Sequence, residues 1–358
     1  MRDCAVQIVK CDKNKINFDL EAFKAIVKRT PSTMNVAVYC ISGKYRTGKS
    51  FLMGLLLHYL INGESDDWLQ TTPRQAFKYK NSSSGVTSGL WMWSEPVIKK
   101  DSNGHDVAVF LLDSHGWHDG KTPEHLCRLI FSLSTLLSSV MLFNVMGHIG
   151  EDDLGYLQVY TTDAIQLNNR KTGEKLNQLI FLLRDWEATD DYPLGYSNND
   201  DKGGFTKFLM DRKDLTEDAV ADRELLRENY DNISSYLMPS PGKIRKKDNY
   251  HMELMKDDFK EHLVGLAKIL FNSESLSQMI YRESQITSEE LIGVAADLFE
   301  EIEERNIDSE NVKVPNSKES RYIDSYQTAL VYFRQTMNKN IKSAHNSEDL
   351  NGLLDLLG

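Results

Sequence analysis

The stretch NVAVYCISGKYRTGKSFLMGLLLHYL, residues 35–60, decides the fold. NVAVYCI is a short uninterrupted apolar run of the kind that forms a strand buried on both faces. It leads into Gly43-Lys44-Tyr45-Arg46-Thr47-Gly48-Lys49-Ser50, which fills the fixed positions of the P-loop pattern, and then into the helical run FLMGLLLHYL beginning at Phe51. Strand, loop and helix in that order are the context the pattern requires. The glycines let backbone N–H groups turn toward phosphate oxygens at a helix N-terminus. Lys49 adds a cation at the β and γ phosphates, and the Ser50 hydroxyl is a ligand for Mg2+. The eight loop residues together with Phe51 are therefore the expected phosphate-binding set.

Working outward, comparable apolar runs recur at VAVFLLD (107–113), VMLFNV (140–145), QLIFLL (178–183) and ISSYLM (233–238). Helical patterns alternate with them: KSFLMGLLLHYL, EDDLGYLQVYTTDAIQL and DDFKEHLVGLAKILF. Buried strands alternating with helices predict an α/β domain over residues 1–285, a mainly parallel sheet flanked by helices. The uncharged stretch LIFSLSTLLSSVMLFNVMG (129–147) approaches bilayer length but changes character midway, and reads as a core helix feeding a buried strand. WEATDDYPLGYSNNDDKGG (186–204) reads as a mobile surface loop. After residue 285 the strand signals stop, and SEELIGVAADLFEEIEER and RYIDSYQTALVYFRQTMNKNIKSA predict a C-terminal helical segment over 286–358. Leu291, Ala295, Leu298 and Ile302 share one face of the first helix, which must pack on the α/β domain, on a partner or on further helices.

A P-loop nucleotide hydrolase needs a carboxylate at the end of a neighbouring strand to hold the magnesium shell, and Asp113 ends VAVFLLD. Gly116 follows closely enough to offer its N–H to the γ phosphate. Thr87, in Gly85-Val86-Thr87-Ser88-Gly89 between the two motifs, stands where a magnesium-sensing switch threonine is expected. His115 has two readings, positioning the attacking water or merely facing solvent. The guanine signature NKxD or TKxD is absent. Arg184-Asp185 follows QLIFLL instead, and a carboxylate there can accept from N1–H and the 2-amino group of guanine, an edge that adenine lacks. A surface salt bridge is the plain alternative for that dipeptide. The basic run Lys243-Ile244-Arg245-Lys246-Lys247 reads as a solvated loop.

Lys+Arg 42 against Asp+Glu 53 leaves a net charge of −11, which argues against a nucleic-acid partner. With 41% hydrophobic and 27% charged residues over 358, a small stapled scaffold and wholesale disorder are excluded. Cys4, Cys11, Cys40 and Cys127 form no CxxC pair and no Cys/His metal spacing, so free thiols are expected. The N-terminal apolar run is too short for a signal peptide, and position 2 is not the glycine that myristoylation needs.

GKYRTGKSFL, VTSGLWMW, LLDSHG and FLLRDW, in this order, resemble the dynamin-superfamily GTPases called guanylate-binding proteins and atlastins. Glu151-Asp152-Asp153-Leu154 with Leu157-Gln158, RDW at 184–186 and LMPSPG at 237–242 look more like the atlastin branch. The resemblance is close from about residue 5 to 285 and weaker over the helical tail. It implies a catalytic group of Arg46, Lys49, Thr87 and Gly116, with Arg46 as an arginine finger inside the P-loop. It also implies Ser50, Thr87 and Asp113 around Mg2+, and Arg184 with Asp185 as guanine readers. The activity implied is hydrolysis of GTP to GDP and phosphate, coupled to homodimerisation through the GTPase domains. In a full-length form it extends to tethering and fusion of endoplasmic reticulum membranes from the cytosolic face. The membrane hairpin and amphipathic helix of atlastins are absent up to Gly358, so this chain is expected to be soluble and its middle domain cut short. Membrane contact is then expected only through segments outside it. Atlastins usually carry Thr and Gln where this chain has Ser114 and His115. Two other readings stay open: a GTP-gated interaction scaffold with little turnover, and a P-loop ATPase motivated by the missing NKxD.

Overall fold

The computed structural model describes residues 4–12, 15–63, 68, 76–77, 89–117, 119–167, 174–212, 214–242, 245–246, 249–250 and 252–304. Thr87 with its Ser/Gly loop, three residues of the basic run 243–247 and the second tail helix lie outside them. The chain opens with β1 (Ala5–Asp12), β2 (Lys15–Phe18), α1 (Leu20–Val27), β3 (Asn35–Ser42), α2 (Lys49–Asn62), β4 (Leu90–Trp93), β5 (Val97–Lys100) and β6 (Asp106–Ser114). There follow α3 (Glu124–Leu136), β7 (Val140–Met146), α4 (Glu151–Leu167), β8 (Leu176–Arg184), β9 (Gly195–Asn198), α5 (Phe205–Asp211), α6 (Glu217–Asn229) and β10 (Tyr230–Met238). Last come β11 (Arg245–Lys246), β12 (Asn249–Tyr250), α7 (Asp257–Phe271), β13 (Ile280–Tyr281), β14 (Ser284–Gln285) and α8 (Ser288–Glu304).

β6, β3, β7, β8 and β10 lie side by side in that order, all parallel, and they are the five apolar runs read from the sequence. The protein is therefore α/β with a mainly parallel sheet, as expected. An antiparallel margin extends it: β4 and β5 pair with β6, β1 with β4 and β2 with β1, while β9 pairs with β10 at the opposite edge. These strands gave no clear signal because short margins such as VIKK and GYSN owe their conformation to the partner strand, not to apolar content.

One face of the sheet carries α2 and α7, whose Leu52, Leu56, Phe259, Leu263 and Leu266 are buried with Ile41, Leu111 and Leu142. α2 is buried on nearly every side from Phe51 to His58, which explains a pattern without a polar stripe. The opposite face carries α3 and α4, with α1 and α8 beside them: Phe131, Leu157 and Leu291 share a core with Val38, Cys40 and Phe110. The long uncharged stretch divides into the end of α3 and β7, as read. Among the described residues no helix is long and apolar enough to cross a membrane. All four cysteines are free thiols, Cys40 and Cys127 buried.

Residues 186–204 are not a featureless loop. Gly195–Asn198 forms β9, and Trp186 is buried, its indole N–H donating to the Tyr192 carbonyl at 3.0 Å and its ring edge-on to Phe205. The polar composition concealed a strand held by backbone pairing and a few aromatic anchors.

The first tail helix takes the first of its options. Leu291, Ala295, Leu298 and Ile302 are buried in the α/β core, and Phe299 meets Phe18. Backbone bonds tie the approach to α8 onto the start of β3: Met279 N to Val36 O (2.8 Å), Val36 N to Ile286 O (3.2 Å) and Ser288 N to Met34 O (2.8 Å). The chain divides into two compact units, Met1–Val312 and Lys313–Gly358, and α8 belongs to the first.

Candidate functional site

β3 ends at Ser42 and α2 begins at Lys49, with Gly48 capping the helix at φ 75°. Gly43 has φ 154°, and a Cβ there would collide with the Asn144 carbonyl of the neighbouring strand. Both positions need glycine for reasons visible in the backbone. We expect Gly43→Ala to weaken GDP binding about tenfold or more through a local distortion of about 1–3 kcal/mol. Titration calorimetry checks the affinity, and thermal melting separates loop distortion from global unfolding.

Between the glycines, Arg46 adopts φ 65°, a left-handed conformation costing a non-glycine residue roughly 1–2 kcal/mol. It is exposed, its guanidinium 5.4 Å from the Tyr45 ring centroid. The loop braces itself through the Lys44 carbonyl, which accepts from the Lys49 ammonium and the Thr47 hydroxyl, both at 2.8 Å. Tyr45 N–H donates to Trp117 O at 2.9 Å, joining the loop to the segment after β6.

At the foot of the loop the Ser50 hydroxyl donates to Asp113 Oδ2 at 2.6 Å, while Asp113 Oδ1 is buried without a hydrogen-bond partner among the described residues. Burial lowers the Lys49 pKa to about 8, opposed by the charge of Asp113. Burial also raises Asp113 to about 6, opposed by the Ser50 hydrogen bond and then by Lys49. A buried carboxylate with an oxygen unused is costly unless something else takes that oxygen. A hydroxyl and a carboxylate converging beside a lysine form a hard-oxygen donor set that fits Mg2+ held with phosphate. Gly116 closes this corner: a Cβ there would lie 2.6 Å from both Lys49 Nζ and Tyr45 Cα, so only glycine brings the backbone this near the ammonium.

His115 does not face solvent, which corrects one of its two readings. Its ring is buried, with Nε2 3.0 Å from Thr122 Oγ1 and 3.4 Å from Asp119 Oδ2, because residues 119–122 turn back onto it.

Arg184 ends β8, and Asp185 turns the chain at φ 55°. Arg184 is 3% exposed, its guanidinium 5.8 Å from the Phe259 ring centroid, and Nη1 lies 3.8 Å from the point where a Gly48 Cβ would stand. Nε and Nη1 of Arg184 and Oδ1 of Asp185 are buried without hydrogen-bond partners among the described residues. Burial lowers the Arg184 pKa to about 10, opposed by the Asp185 charge. The geometry is not that of a surface salt bridge, and it brings the dipeptide and the phosphate loop together.

Two residues on the loop were not read from the sequence as part of it. Asn144 donates from Nδ2 to Thr47 O at 3.0 Å, and Asp153 pairs through Oδ1 with Lys44 Nζ at 2.6 Å. The available signal was a lone amide inside the apolar run VMLFNV. For Asp153 the signal was its place in the Glu151-Asp152-Asp153-Leu154 motif, but its nearness to Lys44 arises only on folding.

The family model for guanylate-binding protein, N-terminal domain, matches residues 13–280. The chain belongs to the guanylate-binding protein family. Among its relatives, Atlastin-2 of Macaca fascicularis is 30% identical over 299 residues, covering 81% of this chain and 53% of that protein. Atlastin-2 of Homo sapiens is 29% identical over 81% of this chain and 51% of its own length. Atlastin-1 of Rattus norvegicus is 31% identical over 80% and 52%. The chain spans about half the length of the curated relatives it matches.

Proposed function

We propose that this chain is a dynamin-superfamily GTPase domain that hydrolyses GTP to GDP and phosphate with Mg2+. The observation that carries the reading is the convergence of Lys49, Ser50, Asp113 and Gly116 at one loop, with Arg184, whose Nε and Nη1 have no hydrogen-bond partner among the described residues, beside Gly48. Membership of the guanylate-binding protein family supports guanine as the base.

The residues divide the work as follows. Loop N–H groups between Gly43 and Ser50 receive the phosphate oxygens at the N-terminus of α2. Lys49 exchanges its bond to the Lys44 carbonyl for β and γ oxygens, and its positive charge is favoured by the arriving phosphates. Ser50 and Asp113 would hold Mg2+, with Thr87, outside the described residues, as the proposed switch contribution, and the metal would supply charge that offsets the phosphates. Gly116 offers its N–H to the γ phosphate. Arg46 turns inward to meet charge developing on the transferred group. Asp185 accepts the two guanine N–H groups, and Arg184 fixes that edge of the site. His115, oriented by Asp119 and Thr122, sets the shape of the segment beside the γ phosphate.

Homodimerisation through this domain is part of the proposal, as is membrane tethering and fusion at the endoplasmic reticulum in a longer form, with residues after 285 beginning a helical middle region. Calorimetry is expected to show GTP and GDP binding far tighter than ATP, and equal affinity for ATP would remove the reading. A transition-state mimic of GTP is expected to double the mass in light scattering. A monomeric profile with bound mimic rejects the dimer.

A further inference from the structure

The phosphate loop must point its N–H groups at the ligand, which leaves its carbonyls and flanking side chains facing away and in need of partners. Lys44 O and Tyr45 N find theirs in Lys49, Thr47 and Trp117, all within the loop and switch. Two further supports come from one contiguous stretch, the end of β7 through the first turn of α4. At its start Asn144, 1% exposed, donates to Thr47 O at 3.0 Å. At its end Asp153, 5% exposed, is fixed by Gly150 N–H donating to Oδ2 at 3.0 Å and uses Oδ1 for Lys44 Nζ at 2.6 Å. The stretch is itself anchored. Gly147 N donates to Arg184 O at 2.7 Å, and Glu151 is gripped by both terminal nitrogens of the buried Arg223 at 2.7 and 2.8 Å.

Resting on the GTPase reading, we propose that residues 144–153 are a positioning clamp, in which Asp153 acts through Lys44 and Asn144 through Thr47 to hold the phosphate loop in its ligand-ready shape. Neither clamp residue touches phosphate. Each removes freedom that binding must otherwise remove, which is how preorganised supports strengthen affinity. The contact Gly147–Arg184 links the same stretch to the base-reading strand, so phosphate and base subsites share one rigid support. The pair Lys44–Asp153 also gives the acidic motif EDDL a function at its third residue, while its first secures α4 to α6 through Arg223.

The test is a double-mutant cycle on GDP affinity, measured calorimetrically with Mg2+ for the parent chain, Lys44→Met, Asp153→Asn and the pair. Asparagine keeps the bond from Gly150 and removes only the charge. Asp153→Asn is expected to weaken GDP about fivefold in the parent and less than about twofold when residue 44 is methionine. Equal losses in both backgrounds overturn the proposal, because Asp153 then acts by another route. Tighter GDP binding by Asp153→Asn also overturns it, since Lys44 would then be a phosphate ligand restrained by the acid. If Asp153→Asn does not fold, Lys44→Asp with Asp153→Lys takes its place: affinity recovered over Lys44→Asp alone supports the clamp, and no recovery overturns it. Failure of the parent chain to bind GDP is a separate result that removes the functional reading, and this proposal with it.

Discussion

Arg46→Ala is expected to slow GTP hydrolysis at least about a hundredfold, since an arginine supplied in cis at a transferring phosphoryl group contributes about 10³ to 10⁵. GDP affinity is expected to change little, because the finger acts on charge that develops only as the bond breaks. The backbone makes the comparison clean. Arg46 sits at φ 65°, and alanine meets the same left-handed penalty as arginine, so the substitution removes the guanidinium without relaxing the loop. Arg46→Lys supplies the control: it keeps a positive charge but loses the planar fork, and is expected to stay nearer to alanine than to the parent. Phosphate release under multiple turnover measures the first quantity and calorimetry the second. Unchanged turnover in Arg46→Ala rejects the assigned role.

The second large effect concerns base choice. Asp185→Asn is expected to erode the preference for GTP over ATP by about 10³-fold or more, since a site built on a specific hydrogen-bonding edge rejects analogues by roughly 10⁴ to 10⁵. Asparagine presents one acceptor and one donor where the carboxylate presents two acceptors, so it faces a guanine N–H with its own N–H. Asparagine also tolerates φ 55°, so the turn after β8 survives and the change is one of chemistry. Competition binding of GTP against ATP reads the ratio directly, and an undiminished preference removes Asp185 from the base pocket.

The sheet centre was legible because its five strands are continuous apolar runs, buried on both faces, and the helices between them carry their own patterns. The margins were not, for the opposite reason. β9 is written GYSN, and nothing in those four letters says strand until β10 supplies the backbone bonds. At the site, spacing alone placed Lys49, Ser50, Asp113 and Gly116 together, because a P-loop and the end of its neighbouring strand are fixed by the topology. Asn144 and Asp153 escaped because what they touch lies nearly a hundred residues or more upstream. His115 was legible as a departure but not as a buried ring, since Asp119 and Thr122 reach it through a turn of irregular backbone.

β3 is bonded to the approach to α8 at Met34 and Val36 and runs at its other end straight into the phosphate loop at Gly43. At about 3.3 Å per residue, its eight residues separate those extremities by roughly 23 Å. Three backbone bonds, to Met279, Ile286 and Ser288, fasten the far end to the approach to α8. The strand is thus the backbone link between the segment that seats α8 and the loop proposed to hold phosphate.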